Sequence, residues 1–266
     1  MPFTPSHAVV ALPFVRTPLV PAAIAVGAMT PDLPLFVRGT PFHYGISHDL
    51  VWLPATLIVA FGLLVMWRCV LRPAVRELTP RTVSERLPPQ WDRGAAEGWR
   101  ETVTGAAWWA VPASLTLGVV THVVWDLFTH EGRWGVEALP ALQQQWGPLL
   151  GVKWLQHGSS AIGLVILTVW GIRRLAQRDP VPHAFEILGG GVRLAWWASL
   201  PFVLTVAWGW GLAAMGPLDE SFTIAHLAYR VLPPACAVWG AATMVLCVAV
   251  QLRRRSATRD TPGLRG

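Results

Sequence analysis

The stretch GVVTHVVWDLFTHEGRW, residues 118–134, sets His122, Asp126 and His130 four residues apart. On a helix such residues differ by about 40° in azimuth, so the three share one stripe if the helix runs past Thr129. Neutral imidazole and ionised carboxylate are the usual donors to zinc, manganese and iron, so the spacing points to a divalent metal, zinc or manganese first. A bound dication would also offset the cost of holding Asp126 within an apolar run. The competing reading is a hydrogen-bonded packing contact between helices, a second use of intramembrane polar residues.

Further candidates stand in short polar stretches: His7 in TPSHAVV, Asp32 in GAMTPDLPLF, His43 and His48 in TPFHYGISHDL, and His157 in WLQHGSSAIG. Asp32 follows Thr30 and Pro31 and also suits a turn or helix cap. Ser6, Ser47 and Ser159 adjoin or nearly adjoin three of the histidines and could hydrogen-bond to them. His183 and His226 are isolated and read as interfacial polar residues. The sequence holds no phosphate-binding glycine loop, CxxC pair, nucleophile elbow or HExxH.

The elements that must position these groups are membrane helices. The 266 residues are 53% hydrophobic and only 14% charged, with a mean hydropathy of +0.44, apolar for a soluble chain of this length. Sixteen Trp against two Tyr suits the membrane interface. Apolar runs at roughly 51–71, 105–127, 155–172, 193–214 and 231–252 are long enough, or nearly so, to span a bilayer as helices. Cys69, Cys236 and Cys247 lie within such runs and read as small hydrophobes, not as staples or zinc ligands.

Between the runs the basic residues alternate. Segments 72–103, 173–193 and 253–266 carry six, four and five Lys or Arg, whereas 30–50, 128–154 and 215–230 carry one, two and one. The positive-inside rule then places the basic segments and the C-terminus in the cytoplasm, and Asp32, His130 and Ser221 outside. The formal charge of +6 thus argues topology and no nucleic-acid partner.

The N-terminal stretch HAVVALPFVRTPLVPAAIAVGAMTPD holds Arg16 among Pro13, Pro18 and Pro21, which suits a continuous helix poorly. Two short helices, about 6–14 and 19–29, joined at Arg16-Thr17-Pro18 make a re-entrant or half-length hairpin; the alternative is a sixth full span. The stretch lacks the basic n-region of a cleaved signal peptide. In the hairpin form His7 returns to the side of the other candidates. The expected fold is all-α, a polytopic transmembrane helical bundle of about five full spans plus this hairpin. It forms a single integral membrane domain over 1–266. Residues 1–175 are its metal-site region, 72–103 a cytoplasmic connector with a short amphipathic helix, 193–252 the two last spans and 253–266 a basic tail.

MPFTPSHAVVALP, GAMTPDLPLF, GVVTHVVWDLFTHEGRW and WLQHGSS resemble the bacterial membrane proteins grouped as domain of unknown function 4184. The order His, Pro-Asp, His, H-x-x-x-D is more distantly similar to membrane-bound metal-dependent hydrolases. The resemblance covers roughly residues 1–175 and implies His7, Asp32, His48, His122 and Asp126 as the metal-ligating positions. The function expected from residues and resemblance together is hydrolysis at the extracytoplasmic face of the bacterial plasma membrane. A divalent metal would activate water there, and His130 or His157 would shuttle the proton. A site at that depth suits membrane lipid or a lipid-linked phosphate ester. The alternative is a non-enzymatic membrane protein that uses the His/Asp site for structure or for metal or proton transport.

Overall fold

The computed structural model describes residues 3–105, 107–182 and 186–259; His183 and residues 260–266 of the basic tail lie outside them. The chain is all-α. Five helices are long and apolar enough to cross a membrane: Leu50–Leu78, Ala110–Thr129, Gly151–Ala176, Gly190–Ala214 and Ile224–Ala257. The sequence places the same five spans, with ends that differ by several residues. Two compact units divide the chain: Met1–Pro34, Thr40–Met66 and Trp99–Gln177 form one, and Leu35–Gly39, Trp67–Gly98 and Arg178–Gly266 the other. Every expected metal ligand falls in the first.

The first unit is built around the N-terminal hairpin. Thr4–Phe14 is helical, but as a 3-10 helix, long for that form. Pro21–Met29 is an α-helix with Pro at its first turn, where the missing N–H costs nothing. No continuous helix joins them across residues 15–20. The 3-10 helix runs beside Gly151–Ala176. Phe3 N–H donates to Ser160 Oγ at 2.9 Å, a Cβ on Gly163 would meet Ser6, and Arg16 lines one groove with Arg173. At about 2 Å of rise per residue the hairpin reaches roughly 20 Å from Thr4 to Phe14.

The returning helix packs on Ala110–Thr129 with almost no gap. A Cβ on Gly118 would strike the backbone of Ile24 and Ala28, and one on Gly27 would strike the backbone of Leu115. Small residues permit this approach of two backbones. Val20 N–H donates to Ser114 Oγ at 2.9 Å where the helix enters.

After Thr129 the unit holds short elements that the sequence reads only as a loop. A helix Trp134–Ala138 precedes a two-stranded antiparallel ladder that pairs Gln145 with Leu150 and Trp146 with Leu149. Gly147 turns it with φ of 65°, a conformation that suits glycine.

In the second unit the first long helix continues beyond the expected boundary at 71, through a π-turn at Trp67–Leu71 to Leu78. Buried charge pairs explain why polar residues can sit there. Glu77 is fully buried; it accepts from the Ile187 and Leu188 N–H groups at 3.0 and 3.3 Å and pairs with Arg254 at 3.3 Å. Arg76 pairs with Asp92 at 2.9 Å and donates to the Ser84 and Val181 carbonyls. The short helix expected within 72–103 is Gly94–Val103. His226 bonds only locally among the described residues, to Thr223.

Candidate metal centre

Three segments of the first unit deliver side chains to the buried face of Ala110–Thr129. That helix supplies His122 and Asp126, which are 1% and 3% exposed. Its Gly118 seam draws the Ala28 carbonyl within 2.7 Å of His122 Nδ1. A carbonyl only accepts, so Nδ1 carries the proton and the lone pair of Nε2 faces the site.

The turn Thr30–Asp32 then presents Asp32, 1% exposed, whose Oδ2 accepts from Thr4 Oγ1 at 2.6 Å. Oδ1 lies 3.7 Å from His122 Nε2 and is buried without a hydrogen-bond partner. Asp32 thus sits in a turn, one of the roles its sequence position suits, with its side chain turned inward to the cluster.

His48 ends the short helix Tyr44–Ser47. Its Nδ1 lies 3.3 Å from the Tyr44 carbonyl and 3.0 Å from Ser47 Oγ, while Ser47 Oγ donates to the Pro31 carbonyl at 2.7 Å. This ties the His48 turn to the Asp32 turn. His48 Nε2 points to the cluster, 3.2 Å from Asp126 Oδ2 and 3.3 Å from His122 Nε2. His7 completes the set: its ring lies over that of His122 with centroids 4.1 Å apart, and its Nε2 is buried without a partner.

The donors form two groups that share His122, one with His7 and Asp126, the other with Asp32 and His48; within each group the ligand atoms lie within 4.8 Å of one another. The structure thus brings together all five residues expected as ligands.

The donor chemistry fits a dication. Two carboxylates are buried here, and among the described residues no Lys or Arg side chain pairs with either. Burial first, and then the nearby Asp126 carboxylate, push the Asp32 carboxyl above its usual range, because an ion is costly where water is excluded and beside a like charge. Two donor atoms, His7 Nε2 and Asp32 Oδ1, are buried and unsatisfied, a condition that native structures rarely leave without a partner. Three imidazole nitrogens and two carboxylates suit zinc or manganese.

His130 lies beside this set by a different route from the one its spacing suggests. The helix ends at Thr129, and His130 is its extended C-cap, yet Nδ1 still approaches Asp126 Oδ2 at 3.5 Å. Its Nε2 is buried without a partner, and burial holds the imidazole below its usual pKa. His157 stands apart: it is exposed on Gly151–Ala176, one residue beyond buried Gln156. His43 is likewise exposed, just before the short Tyr44–Ser47 helix.

Tyr44 and Thr4 are site residues that sequence reasoning misses. Tyr44 stacks on His48 at 3.7 Å between centroids, and its hydroxyl reaches Asp126 Oδ2 at 3.5 Å. Tyr44 is one of only two tyrosines in the chain and lies four residues before His48, a signal that was available. Thr4 carries none.

No curated protein and no solved structure matches the chain. A family profile described as a domain of unknown function, DUF4184, matches residues 1–208, a stretch that holds all five clustered ligands together with Tyr44 and His130. The chain therefore belongs to the DUF4184 family.

Proposed function

We propose that this protein is a metal-dependent hydrolase of the bacterial plasma membrane that acts on a lipid or lipid-linked phosphate ester. Its C-terminus is cytoplasmic and its site faces the other side, as the alternation of basic segments argues. The observation that carries the reading is an apolar cavity of about 490 Å³ beside the ligand cluster. His7 and His122 form one part of its lining, and Val9, Val10, Val120 and Val124 much of the rest. The hydroxyls on this wall are already satisfied: Thr121 donates to Leu117 and Gly118 carbonyls, Ser159 to Gln156 and Ser6 to Phe3. Such a wall suits a hydrocarbon chain, and the volume lies in the range of small-molecule sites.

His7, Asp32, His48, His122 and Asp126 would hold one or two dications. A bound dication supplies Lewis-acid polarisation of the scissile group and lowers the pKa of adjacent water. Asp126 orients His130 through Nδ1, so that the free Nε2 can accept a proton; the depressed pKa keeps that ring neutral, and therefore basic, at pH 7. The Tyr44 hydroxyl steadies the same carboxylate. A cavity leading away from the cluster favours this reading over a structural metal, which needs no access for a second molecule.

The test is hydrolysis by the purified full-length chain of phospholipids and polyprenyl phosphate esters, with zinc or manganese supplied. Turnover that is removed by chelation and absent from His122→Ala supports the reading. Metal-replete protein inert toward the whole panel would reject it.

A further inference from the structure

A second groove in the first unit lies apart from the ligand cluster. It is walled by Leu12, Pro13 and Val15 of the N-terminal hairpin and by one face of Gly151–Ala176, with a volume of about 700 Å³. Two chemically distinct regions make it up. Val165, Ile166, Val169 and Trp170 line the apolar part and are all substantially exposed. Arg16 from the hairpin tip and Arg173 and Arg174 from the last turn of the helix line the other part. No carboxylate lines the groove, and no acidic side chain pairs with any of these arginines among the described residues. The cations come from two segments some 150 residues apart in sequence, so helix periodicity alone does not gather them.

We infer that this groove binds an anionic phospholipid, with its acyl chain along Val165, Ile166 and Val169 and its phosphate at the three arginines. From Val165 to Arg173 the helix rises about 12 Å, which sets the cations a headgroup's distance from the apolar wall. Guanidinium groups match phosphate oxygens in a fork, and their stems can lie along the apolar surface while the heads stay at the interface. The alternation of basic segments puts this end at the cytoplasmic leaflet, where anionic lipids gather. A free phosphate ion would satisfy the arginines but leave the apolar wall unused. The site owes nothing to the metal cluster and stands or falls independently of the hydrolase reading.

The test is native mass spectrometry of the full-length chain in a neutral detergent, titrated with phosphatidylglycerol or with phosphatidylcholine of the same acyl chains. Wild type should retain one phosphatidylglycerol with at least tenfold preference. The triple variant Arg16→Gln, Arg173→Gln, Arg174→Gln should lose that preference while it keeps the wild-type melting temperature, and the triple lysine variant should recover part of it. Should the glutamine variant not fold, Val169→Trp, which fills the apolar part and keeps every arginine, must reduce retention severalfold. Equal retention of the two lipids by wild type, an undiminished preference in the folded glutamine variant, or displacement of the lipid by millimolar inorganic phosphate would each overturn the proposal.

Discussion

His122 Nδ1 donates to the Ala28 carbonyl across 2.7 Å, and this bond joins the hairpin to the span that carries the H-x-x-x-D pair. It fixes the tautomer of His122 and aims Nε2 at His48 and Asp126. The bond exists because Gly27 and Gly118 let the two backbones meet. Gly118→Ala should therefore cost about 1–3 kcal/mol through overpacking and weaken metal binding as well, since Ala28 must withdraw. Thermal melting and metal content of the purified variant check both effects. A loss of stability with full metal content would uncouple the seam from the site.

The cluster should hold metal at a fixed ratio to protein. Purified protein should contain at least one equivalent of zinc or manganese by elemental analysis, and His122→Ala and Asp126→Ala should contain almost none while still entering the membrane. A mere packing network predicts no metal. There the same substitutions would lower stability by only the roughly 0.6 kcal/mol of an average intramembrane hydrogen bond.

Asp32 gives the site a measurable pH dependence. Its carboxyl is raised above 3.8 by burial, so the native metal-free protein binds more protons here than the unfolded chain does between 3.8 and the raised value. The ionised carboxylate is thus a burden on the metal-free fold at neutral pH, and protonation relieves it on acidification. Chelator-treated Asp32→Asn should melt above wild type at pH 7, with the difference shrinking towards pH 4. Metal affinity should run the other way, falling as pH drops through the raised value. A melting difference that grows on acidification would contradict this assignment.

The buried ion pairs of the second unit should be costly to break. Glu77 is fully enclosed against Arg254 and two backbone N–H groups. Glu77→Ala leaves the two N–H groups without their acceptor and takes one carboxylate from Arg254, which keeps Asp92 and the Pro73 carbonyl; removal of one partner from a buried pair costs about 3–5 kcal/mol. Unfolding in denaturing detergent measures it, and a loss below about 1 kcal/mol would mean that water replaces the acceptor Glu77 supplies.

The spans and the clustering of His7, Asp32, His48, His122 and Asp126 were legible because each rests on a local signal: apolar length for the helices, and residue type, spacing and family resemblance for the cluster. Prolines around Arg16 marked the hairpin turn, but not the 3-10 form of its first arm, since a 3-10 helix differs from an α-helix in hydrogen-bond register more than in composition. Tyr44 carried a signal in its spacing to His48, but that spacing gains meaning only once the turn stacks the two rings. His157 shared a signal with the clustered histidines, a place at a span entrance, yet the rotation of its helix turns it outward. The extension of the first span to Leu78 escaped because Arg76 and Glu77 read as loop residues until their distant partners are known.

On the proposed hydrolase reading, the apolar cavity beside His7 and His122 should set which substrates are hydrolysed. Val10 and Val120 come from different elements and line the cavity without joining the ligand set. Val10→Phe or Val120→Phe narrows it and leaves all five donors in place. A lipid whose chain lies in the cavity should then be hydrolysed about tenfold more slowly, a loss of about 1.4 kcal/mol of transition-state binding. A short-chain soluble ester with the same scissile group should keep its rate, because its reaction needs only the ligand cluster and His130. The ratio of the two rates is the readout, measured on protein shown to carry its full metal. An equal fall for both substrates would mean that the larger side chain disturbs the cluster itself, and unchanged rates for both would remove the cavity from the substrate path.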